Sequence, residues 1–197
     1  MTPADHHTAF RYALEALSGT PLGALSRMTV TGLENVPTSG PLILVGNHRS
    51  VLDGNVLAWA VHTVRRPRFL GKAELFRNPV LRWIFTTGGA IPVDRTGDVT
   101  AAMRAAISVL KAGGSLVMYP EGRRLKRHED RIPAKSGVGF LAAASGASVL
   151  PARLRGVEGF PFSRIEVTLG RPLPPPPPGK EAARDFAQAV MDVVYSL

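Results

Sequence analysis

The chain has 197 residues, 45% hydrophobic, 7% aromatic and 20% charged, a composition that suits one globular domain with a substantial core. It has no cysteine, which excludes a disulfide framework, a thiolate metal site and a cysteine acyl-enzyme. Lys and Arg number 24 against 15 Asp and Glu, a formal charge of +9, so the surrounding field draws anions: nucleic acid, acidic headgroups or phosphorylated substrates.

The segment MTPADHHTAFRYALEAL has no basic start followed by an apolar run, so no signal peptide is expected. No window holds the ~20 continuous apolar residues of a spanning helix. Residues 8–18 carry Phe10, Leu14 and Leu17 at helical spacing. The whole 1–27 segment is expected to be helical, either touching a membrane or packing on the core. A strand follows near Met28–Thr31, then a turn-rich stretch. LILVG (42–46) is a continuous apolar run bounded by turn residues, the pattern of a strand buried on both faces.

Helices are predicted over 55–64 and 78–87, with strands at 67–71 and 90–93 between and after them. Residues 98–111 predict a helix with Val99, Met103, Ile107 and Leu110 on one face, stopped by Gly113-Gly114. SLVMY (115–119) reads as a buried strand, 136–145 as a helix, and SVLPARLRG and RIEVTLG as two late strands. A proline-rich connector (172–179) leads to a final helix (180–197) with Phe186, Val190, Val193 and Leu197 on one side. Strands alternating with helices predict a single α/β domain over 1–197, with a mostly parallel central sheet flanked by helices.

Two loops hold the reactive residues, each directly after a buried strand, where α/β sheets collect their chemistry. In NHRSVLD, His48 and Asp53 have the parts of a general base and the carboxylate that orients it. His-x4-Asp alone is weak, since a turn-capping histidine and a helix-capping aspartate give the same pattern. In YPEGRR, Gly122 permits close backbone approach, and Arg123 and Arg124 suit a phosphate. Arg127 and Arg131 read as solvated charges. GAIPVDR delivers Asp94 and Arg95 at the end of a short strand, and Pro151 bends a strand that forms either the wall of an acyl groove or plain core.

Taken in order and spacing, NHRSVLD, GAIPVDR, YPEGRR and VLPARLRG resemble the four sequence blocks of the glycerolipid acyltransferase family, which includes the 1-acylglycerol-3-phosphate acyltransferases. The likeness runs from about Val30 to Gly156, and Lys72 and Glu74 also stand at familiar places. Arg123 stands where the family usually has threonine, and Tyr119 replaces a common phenylalanine.

The resemblance implies a glycerol-3-phosphate acyltransferase-like fold and transfer of an acyl group from acyl-CoA or acyl carrier protein to lysophosphatidic acid. His48 is then the base and Asp53 its partner. Lys72, Arg95, Glu121, Gly122, Arg123 and Arg124 bind substrate, and Pro151 lines the acyl groove. No Gly-x-Ser-x-Gly elbow occurs, which favours direct transfer over an acyl-enzyme. No cofactor or metal is implied: His6-His7 lie in the tail, and neither His62 nor His128 joins a spaced carboxylate cluster.

The partners expected are a lysophospholipid, the acyl donor and an anionic membrane surface, with the protein peripheral on the cytoplasmic face. Nucleic acid is not expected, because the aromatic-with-basic patterns of RNA modules are missing. Two rivals stay open: an acyltransferase for another lyso-lipid, such as a lyso-ornithine lipid or glycolipid, and a basic binding module without catalysis.

Overall fold

The computed structural model describes residues 28–79, 82, 90–93, 99–126, 128–160 and 162–197. The helix expected over 8–18, most of that expected over 78–87, and Asp94 and Arg95 lie outside these residues.

Seven strands form one sheet in the order β1-β7-β6-β2-β5-β3-β4. They are β1 (Thr29–Thr31), β2 (Leu42–Gly46), β3 (Arg68–Lys72), β4 (Ala90–Val93), β5 (Ser115–Met118), β6 (Ser148–Arg155) and β7 (Glu166–Leu169). Every pairing is parallel except that of β6 with β7. Among the described residues four helices pack on the sheet: α1 (Asp53–Val61), α2 (Val99–Lys111), α3 (Gly137–Ser145) and α4 (Lys180–Ser196).

The central strand β2 explains the layering. All five of its residues are buried, and alternate side chains go to opposite faces. Leu42 and Leu44 join Val56, Leu57 and Val61 of α1 in one core. Ile43 and Val45 join Ala106 and Leu110 of α2, Leu141 of α3 and Val190 of α4 in the other. Each such side chain contributes about 1.5–3 kcal/mol by leaving water, so a continuous apolar run is stable only between two helical layers.

Three expectations change in detail. On α4 the buried stripe runs through Ala183, Ala187, Val190, Met191 and Val194, with Phe186 and Val193 at its half-buried margins. Small residues mark the contact because α4 presses close to α3. The proline-rich connector is not a free spacer, since Leu173 exchanges both backbone hydrogen bonds with Val149, at 2.9 and 2.8 Å.

Pro151 is the third. It is a buried residue of β6 opposite Val45, not the wall of an open groove. Its missing N–H falls between the Leu173 bridge and the start of the β7 ladder at Ala152, where proline interrupts no bond.

Candidate active site

His48 and Asp53 stand at the carboxyl end of β2, and the chain is fixed there by Asn47. The Asn47 amide continues the β2–β6 ladder with side-chain atoms: Nδ2 donates to Leu154 O at 2.9 Å, and Oδ1 accepts from Leu154 N at 2.8 Å. The loop after it closes on one oxygen of Asp53. Oδ2 accepts from Arg49 N and Ser50 N, each at 2.7 Å, and lies 2.9 Å from His48 Nδ1. Asp53 is 1% exposed and opens α1, where the helix dipole favours a negative charge. The His48 side chain is 23% exposed. With Nδ1 taken by the carboxylate, Nε2 is the nitrogen left for chemistry.

The second loop, after β5, holds His48 from behind. Glu121 is 1% exposed. Its Oε2 accepts the His48 backbone N–H at 2.7 Å, and its Oε1 accepts from the Tyr195 hydroxyl of α4. Burial pushes the Glu121 carboxyl up from its usual range, opposed by the Tyr195 and His48 donors. Glu121 therefore positions the His48 loop, with each of its oxygens accepting from a protein donor. Leu125 N donates to His48 O at 2.7 Å, a further tie between the loops.

The Tyr119 ring stacks on the His48 ring, with centroids 4.3 Å apart and planes 16° from parallel. Gly46 makes room for it, since a Cβ there would lie 3.2 Å from Tyr119 Cε1 and 2.9 Å from Leu154 Cδ1. The Tyr119 hydroxyl is buried without a partner. Burial, then Asp53 and Glu121, push its phenol well above the ordinary value.

Gly122 has φ +71, a left-handed conformation that favours glycine. Its N–H closes a turn on Tyr119 O at 2.9 Å and is not free for a ligand. The amides of Arg123 and Arg124 donate to no backbone carbonyl among the described residues. Arg123 does not stand as a free cation beside a phosphate site. Its Nη1 and Nη2 donate to Glu129 Oε2 and Oε1 at 2.7 and 2.6 Å. That guanidinium and the Lys126 amide hold the Glu129 carboxyl down to about 2. Arg124 is exposed. Lys72 ends β3 in register with Val93 of β4, which puts its backbone at the carboxyl end of the sheet.

Sequence reasoning missed Tyr195, Arg153 and the structural part of Asn47. Asn47 had a signal, as a polar residue directly after a buried strand. No spacing connects Tyr195 with Glu121, 74 residues earlier. Among the described residues no group of three His, Cys, Asp or Glu is placed to hold a metal. His62 lies at an exposed helix end, bonded to Trp59 O.

The profile of a family described as Acyltransferase matches residues 27–155. Over 131 residues the chain is 32% identical to a chloroplastic 1-acyl-sn-glycerol-3-phosphate acyltransferase of Brassica napus, covering 64% of this chain and 37% of that one. It is 36% identical over 169 residues to an N-acylphosphatidylethanolamine synthase of Arabidopsis thaliana, covering 72% and 58%. The chain spans between about a third and just over half the length of the first of these curated relatives. The crystal structure of the 1-acyl-sn-glycerophosphate acyltransferase of Thermotoga maritima shares the fold, with TM-score 0.79 and 23% identity over 99% of this chain and 80% of that one.

Proposed function

Since this chain belongs to the acyltransferase family, we propose that it transfers a fatty acyl group from acyl-CoA or acyl carrier protein to the free hydroxyl of lysophosphatidic acid, forming phosphatidic acid. The observation that carries the reading is the His48 Nδ1–Asp53 Oδ2 contact of 2.9 Å at the carboxyl end of β2. The relatives named for 1-acyl-sn-glycerol-3-phosphate acylation supply the substrate class.

His48 Nε2 takes the proton of the acceptor hydroxyl, while Asp53 holds the ring and stabilises the imidazolium. The acceptor oxygen attacks the thioester carbonyl, and the tetrahedral oxyanion meets the amides of Arg123 and Arg124, which donate to no backbone carbonyl among the described residues. Collapse breaks the C–S bond, and His48 returns its proton to the leaving sulfur. The products are an ester and a thiol. Arg124, with Lys72 and Arg95, binds the phosphate-bearing substrates.

The protein works at the cytoplasmic face of an anionic membrane, peripherally. No helix among the described residues is long and apolar enough to cross one. Val51, three residues from His48, is 68% exposed, a placement that suits contact with lipid. A second reading, transfer to another lyso-lipid, is favoured by the pairing of Arg123 with Glu129.

The test is transfer of labelled acyl groups, from acyl-CoA and separately from acyl carrier protein, to lysophosphatidic acid in mixed micelles. Wild type should form phosphatidic acid and His48→Ala should not. Silence with lysophosphatidic acid but turnover with another lyso-lipid would replace the first reading by the second. Silence throughout would leave a basic binding module.

A further inference from the structure

Behind the His48 loop, positive charge gathers without matching negative charge. Arg153 extends from β6 toward α4, and its guanidinium carbon lies 4.5 Å from the centroid of the Tyr195 ring. The guanidinium of Arg131 lies 4.6 Å from the same centroid. Burial holds Arg153 below its ordinary value, and the charges of Arg155, Arg49 and Arg131 add to the effect, while Tyr195 opposes it. Gathering four guanidiniums is costly unless an anion is shared among them.

The protein supplies little to balance them. Nε and Nη1 of Arg153 are buried and bond to nothing. Such orphaned donors are rare in folded proteins and call for a reason. Glu121, which bonds to Tyr195, has an oxygen engaged by that hydroxyl and the other by the His48 amide. Asp192 approaches Arg131 only to 3.8 Å, with both side chains over half exposed, a pairing worth little. Arg49 spends one nitrogen on Glu129 O at 3.0 Å. Arg131 stands at the rim, its side chain 57% exposed, and meets an anion from solvent first.

The position matters as much as the charge. Arg49 directly follows His48 in sequence, and Tyr195 is joined to the His48 amide through Glu121. We infer that Arg153, Arg131 and Arg49 form a binding site for a phosphate monoester, separate from Arg123 and Arg124. Guanidinium is the cation suited to such a group, because it donates in a planar fork. The choice of ligand rests on the acyl-transfer reading, in which both substrates qualify: lysophosphatidic acid carries a phosphate monoester on its glycerol, and coenzyme A carries one on its ribose.

Calorimetric titration of the full chain with sn-glycerol 3-phosphate, and separately with adenosine 3′,5′-bisphosphate, tests the site without turnover. Arg153→Met keeps an unbranched stem against Tyr195 and removes the charge. It should weaken one probe about tenfold or more, the loss expected for a charge-assisted bidentate contact. Loss confined to glycerol phosphate assigns the site to the acceptor; loss confined to the bisphosphate assigns it to the donor. Arg131→Gln, at the exposed rim, should weaken the same probe about threefold and serves if Arg153→Met fails to fold.

Unchanged affinity for both probes in the folded variants, or no binding by wild type, overturns the inference. Acyl-transfer assays on the same proteins separate the two claims. Wild type that binds a probe through Arg153 but transfers no acyl group to any lyso-lipid would sink the reaction and keep the site. An active enzyme with affinities unmoved would do the reverse.

Discussion

Two arginines are withdrawn from water at opposite ends of the same sheet, and they are treated differently. Arg65, 8% exposed, lies at the amino end, among the turns that lead into β2 and β5. Its Nη2 donates to Gly40 O at 2.8 Å and Gly113 O at 2.9 Å, and its Nη1 to Pro37 O at 3.3 Å. Burial lowers its guanidinium as it does that of Arg153. Arg65 is nevertheless bonded to three carbonyls, whereas Arg153 keeps two donors with none. The first cation cross-links turns; the second keeps two buried donors for which no partner stands among the described residues. A hollow of about 490 Å³ beside Arg65, lined also by Thr38, His62 and Ser115, holds no base–carboxylate pair. The amino end of the sheet is built for stability and the carboxyl end for chemistry.

The contrast breaks most visibly at Asp53. Asp53→Asn can keep an oxygen for the two loop amides and His48 Nδ1, but it removes the carboxylate charge that holds the ring and stabilises the imidazolium. Acyl transfer should fall by roughly 10³–10⁴-fold, with the fold kept, as read by circular dichroism beside initial rates. A loss below tenfold would remove His48 and Asp53 from the mechanism.

The same substitution at the two arginines sharpens it next. Arg65→Met removes three hydrogen bonds that tie turn carbonyls together and should cost about 1–3 kcal/mol in urea unfolding while leaving turnover per folded molecule unchanged. Arg153→Met strands nothing and should shift stability by no more than about 1 kcal/mol, or raise it. Equal losses would mean that Arg153 is also a cross-link.

A third, smaller effect joins α4 to the site. Tyr195→Phe removes a donor that holds the Glu121 carboxyl down against burial. Folded Glu121 already titrates above its unfolded value, so its charged form is lost early as pH falls, and in the variant it is lost earlier still. The acid limb of kcat/KM should move to higher pH, with a loss that is largest at the acid end of the profile and fades as pH rises. A uniform loss at all pH values would mean that Tyr195 acts only through packing.

The parts of the molecule legible in its sequence are those fixed by local pattern. LILVG and SLVM state their burial in their composition, and β2 and β5 fall where those runs do. The His48–Asp53 contact was legible because it spans one tight loop. Glu121 was not, since an acid between proline, glycine and two arginines reads as surface, and only α4, arriving 74 residues later, buries it. Arg123 read as a free cation because its neutraliser, Glu129, stands six residues on, across an irregular loop. Nor does any pattern in RIEVTLG reveal that β7 runs against its neighbour. Contacts made through tertiary closure leave no period to read.

Tyr119 puts the central criterion at risk with the smallest change. Its hydroxyl, like the two Arg153 donors, is buried without a partner, but it belongs to a ring already stacked on His48 and lies near two carboxylates that oppose its ionisation. Removing it should relieve a desolvated polar group and leave the stack in place. Tyr119→Phe is therefore expected to stabilise the protein by about 1 kcal/mol, a rise of roughly 2–4 °C in Tm. A fall in Tm would mean that the hydroxyl is satisfied, by an ordered water held between Asp53 and Glu121. The same explanation would then extend to Arg153, and a buried group without a protein partner would no longer separate the working end of the sheet from the structural one.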